Sequence, residues 1–427
     1  MKIFKSLPFR LLLGLVVGAV IGLFCKANVA TTGGLMQVIV CLHRLMGQFV
    51  SFCVPLIVLG FICPSIVKMG ENAGKLLGVA LILAYVSSVL AALMSVVAGY
   101  LIVPMLNIAN PQGEAELPKA IFQLDIPQIM PVITALVFSI VFGLATVWTK
   151  SNTTKSLLLE FQNIVLDIVT KIMIPILPFY IGTTFVTLGF NGTLSQFPVF
   201  LIAIIIVMLG HYIWLFVLYA LAGVYSGKNP IDVVKHYGPA YITAVGTMSS
   251  AATLSVALQC ARKSNALRDD LVGFGIPLFA NIHLCGSVLT ETFFVFIIHK
   301  ILLGTLPDPA TAILFIVLLG IFAVGAPGVP GGTVMASLGI VEGVMFAAHP
   351  EQAGAATAML LAIFALQDSF GTACNVTGDG ALTLILTGYC AKHNIGKAGE
   401  AVKEKVETVK EKAESVKKTV KKLATKK

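Results

Sequence analysis

The sequence predicts an all-α polytopic membrane protein of about eight transmembrane helices plus two re-entrant helical hairpins, and three observations carry that expectation. Of 427 residues, 57% are hydrophobic and 11% charged, and the mean hydropathy is +0.94, whereas a soluble domain carries roughly 25% charge. The apolar residues run continuously over windows of about 20 residues rather than in short alternating segments, which selects helices over a barrel. In the second half, clusters of small residues break the apolar runs into half-length arms. The unpaired backbone at such turns cannot face lipid. A soluble enzyme built around a buried core is excluded.

Taken in order, the first apolar segment (8–24) follows Lys2 and Lys5. Its basic start is signal-peptide-like, but it lacks a small-residue cleavage site and many spans follow, so an uncleaved first helix is expected. Segments 36–66, 75–105, 129–148, 156–188 and 197–226 are long enough to span, some with tilt. Polar loops separate them at Lys68–Lys75, from Asn107 to about Pro127, and at Lys150–Lys155. After Pro230 an apolar stretch breaks at Gly246-Thr247-Met248-Ser249-Ser250-Ala251-Ala252-Thr253, and a span from Leu271 to Ile298 then carries Asn281, His283 and Glu291. Ile313–Val324 runs into Gly325-Ala326-Pro327-Gly328-Val329-Pro330-Gly331-Gly332-Thr333, and the last span holds the polar stretch Leu366–Asp379. Two broken hairpins, each followed by an interrupted helix, are corresponding discontinuities in two halves, the pattern that marks a midplane binding site in a secondary transporter. Two loops between ordinary spans are the alternative.

Charge and cysteines add limits. Between Lys392 and Lys427 stand 12 Lys against 5 Glu, a net +7 of the chain's +9. Basic charge is thus a tail property, not a nucleic-acid footprint; with Lys2, Lys5 and Arg10 it predicts cytoplasmic N- and C-termini by the positive-inside rule. Val402, Val406, Val409, Ala413, Val416, Val420 and Leu423 form a heptad seam in that tail. Val and Ala bury little area, so a solvated or membrane-surface amphipathic helix is expected rather than a coiled coil. The eight cysteines lie scattered without CxxC spacing and read as small hydrophobes.

Two carboxylates inside an apolar span, Asp368 and Asp379, are costly unless they bind something. Asp368 precedes Asn375 by seven residues, two helical turns, which places both side chains on one face. A carboxylate and an amide at that spacing suit the ammonium and carboxylate of an α-amino acid, and Thr372 between them adds a hydroxyl. Pairing of Asp368 with a Lys or Arg is the alternative, although the neighbouring spans supply none. Glu291 in its apolar span suits a proton carrier, because burial favours the neutral carboxyl; a polar contact between helices is its bland reading. His283 can carry a proton near neutral pH or serve as a hydrogen-bonded core residue.

The two hairpin tips, Asp368 with Asn375-Val376-Thr377-Gly378-Asp379, and Pro230-Ile231 with Lys235-His236 resemble the dicarboxylate/amino-acid:cation symporter family, the glutamate transporter homologues. The match covers essentially all but the tail. Leu366-Gln367-Asp368-Ser369 is closer to its serine/threonine branch. The resemblance implies inverted repeats, a homotrimer and an elevator-type transporter in the cell inner membrane. Residues 1–70 would be scaffold helices 1–2, 71–106 transport-domain helix 3, and 107–190 a loop with scaffold helices 4–5. Residues 191–391 would hold helix 6, hairpin 1, helix 7, hairpin 2 and helix 8, and 392–427 the basic cytoplasmic tail. It assigns substrate binding to Ser249, Ser250, Gly328, Val329, Asp368, Gly371, Thr372 and Asn375.

The departures from the family pattern set the substrate and ion expectations. Acidic-substrate members place an arginine where this chain has Gly371, and others where it has Met248. Without it a second substrate carboxylate would be buried unpaired, so a neutral amino acid of the serine, threonine or alanine kind is expected; a sodium-coupled dicarboxylate or acidic amino acid is the alternative. Where the family has Asn-Met-Asp-Gly-Thr, the chain has His283-Leu284-Cys285-Gly286-Ser287, and a thiol is a poor ligand for a hard cation. Asn281 is a substitute ligand; Asp379 and the carbonyl of Asn375 resemble part of one sodium site, and Tyr85, Ser87 and Ser88 partners of another. Glu291 matches the glutamate that carries a proton in excitatory amino-acid transporters. A proton is therefore placed ahead of sodium as the coupling ion, with Glu291 and His283 as carriers, and no cofactor is expected. A channel, and an intramembrane hydrolase using Ser249 or Ser250 with His283, are the readings from other classes; the second lacks a GxSxG elbow or a metal motif.

Overall fold

A computed structural model describes residues 7–71, 75–106, 108, 117–122, 124, 126–192, 197–326 and 331–395. Among the described residues the regular structure is helical, without strands. The first half comprises α1 (Leu7–Ala27), α2 (Val29–Glu71), α3 (Lys75–Ile102), α4 (Val132–Thr149), α5 (Asn152–Ile168), α6 (Ile174–Asn191) and α7 (Phe197–Ser226). A π-helical turn, Val169–Met173, joins α5 to α6. The second half comprises α8 (Ile231–Val234), α9 (Gly238–Thr247), α10 (Ser250–Ala261), α11 (Asp269–Ile282), α12 (Cys285–Leu303), α13 (Pro309–Gly325), α14 (Gly332–Ile340) and α15 (Pro350–Lys392).

Five stretches among the described residues are long and apolar enough to cross a membrane: Val29–Phe49, Leu76–Met105, Asn152–Asn191, Pro198–Ser226 and Asp269–Leu303. A sixth arises if Pro350–Phe364 and Leu366–Lys392, bent by 66° from each other, form one span. Two of the remaining expected spans correspond to α1 (Leu7–Ala27) and α4 (Val132–Thr149).

α12 is buried on every face from Cys285 to His299, and α15 is buried almost continuously from Ala356 to Leu384. Helices apolar all round form the centre of a bundle, and here α3, α7, α9 and α11 pack around this pair. The approach is close because Gly286 faces α15, where an added Cβ would stand 2.5 Å from the Cys374 Cβ and the Gly371 carbonyl oxygen. α1 lies equally close on α6. A Cβ at Gly14, Gly18 or Gly22 would come within 2.4, 2.1 and 2.4 Å of the carbonyl oxygens of Pro178, Gly182 and Val186, so this seam exists only as glycine.

The first small-residue break is a tight helix pair. Met248 adopts φ 52°, Ser249 caps α10 by accepting from Ala252 N at 3.2 Å, and Thr247 and Thr253 join hydroxyls at 3.0 Å. Its base is closed by Asp232, which pairs with Lys235 (2.6 Å) and accepts from Ser264 Oγ (3.0 Å) and Ala266 N (3.1 Å). The bonds from Lys235 and Ser264 hold the Asp232 carboxyl down at about 2. The second break separates α13 from α14; Gly328 and Val329 at its tip lie outside the described residues, as do Lys2, Lys5 and the heptad seam of the tail. All eight cysteines are buried and free.

Gly18→Val is expected to overpack the α1–α6 seam at a cost of about 1–3 kcal/mol, checked as a lowered Tm of the detergent-solubilised protein against an unchanged Gly33→Val control, since Gly33 has open space around it.

Candidate functional site

The centre of the site is the break between α11 and α12. His283 and Leu284 leave the helical conformation, with φ/ψ of −116°/105° and −123°/40°, which exposes the first backbone donors of α12. Asn375 on α15 takes them: its Oδ1 accepts from Gly286 N at 2.7 Å and Ser287 N at 3.3 Å, while its Nδ2 donates to Ser287 Oγ at 2.9 Å. A side chain from another helix thus caps α12, which meets the need for partners at a buried helix end. His211 on α7 braces the same turn, its Nε2 lying 3.0 Å from both Gly286 O and Thr290 Oγ1. A carbonyl only accepts, so Nε2 carries the proton.

Freed from the helix, the His283 ring bridges two expected residues on different helices. Its Nδ1 lies 3.0 Å from Asp379 Oδ1 and its Nε2 2.9 Å from Ser87 Oγ on α3, all three being buried. Gly378 leaves room for the ring, for a Cβ there would be 2.8 Å from His283 Cε1. The other Asp379 oxygen, Oδ2, is buried without a partner.

The remaining sodium-ligand expectations do not gather here. Ser88 Oγ is buried and unpartnered, the Tyr85 hydroxyl donates to Val317 O at 3.3 Å, and Asn281 is exposed, its amide turned back to Pro277 O at 2.8 Å.

Asp368 sits one turn beyond the bend of α15, buried, and its Oδ2 accepts from Gly331 N at 2.7 Å. Gly331 is the N-cap of α14 and has φ 70°, a conformation glycine takes without strain. Thr372, buried, stands one turn further along α15. Gly371 faces Ser287, whose nearest atoms would be 3.5 Å from an added Cβ, ordinary contact distance. Ser249 is engaged in its own turn, and Ser250 is buried at the start of α10. Glu291 is wholly buried in α12; Ser337 of α14 donates to its Oε1, and its Oε2 has no partner.

Sequence reasoning did not anticipate His211, Ser337 or the Gly331 N–H. His211 had a usable signal, an imidazole inside a run of Ile, Val and Leu. Ser337 and a backbone donor had none.

The sequence profile described as "Sodium:dicarboxylate symporter family" matches residues 7–389. A serine/threonine transporter SstT of Streptococcus thermophilus is 29% identical over 398 residues, covering 89% of this chain and 95% of that protein. A neutral amino acid transporter B(0) of Rattus norvegicus is 28% identical over 267 residues (61% and 46%), and an excitatory amino acid transporter 2 of Mus musculus 27% over 259 residues (58% and 43%).

Asn375→Ala is expected to strand two buried donors at the start of α12 and lower stability by about 1–3 kcal/mol for each group left unpaired, read as a drop in Tm in detergent micelles.

Proposed function

The chain belongs to the sodium:dicarboxylate symporter family, and from that membership we propose a secondary active symporter that moves a neutral amino acid of the serine, threonine or alanine kind together with a proton. The family is one of transporters, so the protein is a multi-pass membrane transporter and not an enzyme. Asp368 carries the substrate reading: a buried carboxylate bonded to a backbone N–H, with Thr372 and Gly371 one turn on, the glycine standing where acidic-substrate relatives have arginine. One negative charge without a guanidinium beside it suits an ammonium and leaves a second substrate carboxylate unpaired. Ser249, Ser250, Thr372, Asn375 and the second tip at Gly328 and Val329 would complete the amino-acid site. The names of the serine/threonine and neutral amino acid relatives support the same substrate class.

The proton reading rests on Glu291, a fully buried carboxyl with one oxygen bonded by a hydroxyl and the other unpartnered. A neutral carboxyl is the form such a site tolerates. It also rests on the His283 imidazole, which fills the space between Ser87 and Asp379 that a cation would need. Sodium is the second reading: the unpartnered Asp379 Oδ2 remains a free oxygen acceptor, and it would join the Asn375 carbonyl.

The reading includes an elevator. Residues 71–106 and 191–391 would move against a scaffold of 1–70 and 107–190, within a homotrimer in the inner membrane, both termini cytoplasmic. Supporting it, α1, α2 and α4–α6 pack mainly on one another, and α3, α7 and α9–α15 do likewise.

Proteoliposomes separate these readings. Uphill uptake of labelled serine, threonine or alanine under an inward proton gradient is the expected result, sodium dependence would move the coupling to the second reading, and conductance without accumulation would indicate a channel. Asp368→Asn should abolish amino-acid binding; unchanged affinity sinks the ammonium assignment. Gly371→Arg is predicted to shift preference toward acidic substrates in competition assays. Glu291→Gln should remove acceleration by a proton gradient while exchange across equal pH persists.

A further inference from the structure

Away from the residues of the candidate site, α1, α2 and α6 line an open groove of about 660 Å³. Its floor is the glycine seam at Gly14 and Gly18, and its walls carry Leu13, Val17 and Ile21 from α1 with Leu42 and Met46 from α2. Leu13, Val17 and Leu42 are about half exposed, at 51%, 47% and 49%. The Thr183 hydroxyl in the wall donates to Tyr180 O at 3.0 Å, so it asks nothing of an occupant. At one end stands Arg10, the cation among the lining residues.

We propose that this groove binds one acyl chain of an anionic phospholipid, with Arg10 on the headgroup phosphate. Length supports this. From Arg10 to Ile21 is 11 helical steps, roughly 16 Å at 1.5 Å per residue, about half of a hydrocarbon core of roughly 30 Å. The groove therefore runs one leaflet deep, with its positive charge at the end where a headgroup begins. Charge supports it as well: a guanidinium forms paired hydrogen bonds with phosphate oxygens. Shape argues against a helix as occupant. The seam that forms the floor closes to backbone contact, while a helix with side chains is about 10 Å across; a single hydrocarbon chain follows such a floor. The closeness that makes the seam comes from glycine, so the groove is built into the α1–α6 contact rather than left by loose packing.

The test uses the full-length protein, delipidated in detergent and offered equal amounts of phosphatidylglycerol and phosphatidylcholine, with retained lipid counted by native mass spectrometry. Wild type is expected to keep phosphatidylglycerol in preference, Arg10→Gln to lose that preference about tenfold, and Val17→Trp, which fills the groove, to lose both lipids. A Tm for each variant close to wild type shows that it is folded; Arg10→Gln alone suffices if Val17→Trp is not. Equal retention of the two lipids by wild type, or an unchanged preference in Arg10→Gln, overturns the proposal. So does a Val17→Trp protein whose subunit count falls while its lipid count stays, since the groove would then be a contact between copies of the chain.

Discussion

The buried chemistry of this protein depends on one contact, the backbone of α12 lying against α15 at Gly286. A helix broken inside an apolar bundle leaves donors that neither lipid nor water can satisfy. Here the break is stable because the neighbouring helix is close enough for the Asn375 amide to reach across at 2.7 Å, and a single Cβ at position 286 would force the two apart. Everything else at the centre follows from that proximity. Because α12 is capped from outside, His283 is released from helical geometry and turns to Asp379 and Ser87. The α11–α12 break, α3 and α15 are joined through one imidazole.

The resemblance to the symporter family was legible in the sequence, and membership bears it out over residues 7–389. The reason is physical: Asp368, Glu291 and Asp379 are conspicuous because charge is rare in apolar spans, and the Gly-rich tips because they interrupt those spans. What the sequence could not supply was the pairing. His283 and Asp379 are 96 residues apart, and a hydrogen bond of that separation exists only once α12 and α15 are docked. Asn375 illustrates the same limit, since its spacing from Asp368 points to a ligand whereas its neighbours use it as a cap. Local chemistry also competed with distant roles. Ser249 is a favoured N-cap residue and is bonded as one, and Asn281, on an exposed face of α11, bonds back to its own helix.

Hydropathy marks how much of the chain is apolar, but not which helices touch. The glycines along α1 (Leu7–Ala27) bring it to backbone distance from α6, a contact that apolar composition alone does not announce.

The bond between Gly331 N and Asp368 Oδ2 bears on what any measured affinity means. The acceptor that suits an ammonium is already engaged by a donor of the protein's own backbone. A ligand that takes over this bond does so by exchange, and its apparent affinity is the difference between two hydrogen bonds to one atom plus the cost of displacing the start of α14. Affinity for any such ligand can therefore be retuned from α14, by changing how firmly it holds its internal competitor, with the residues around Asp368 left as they are.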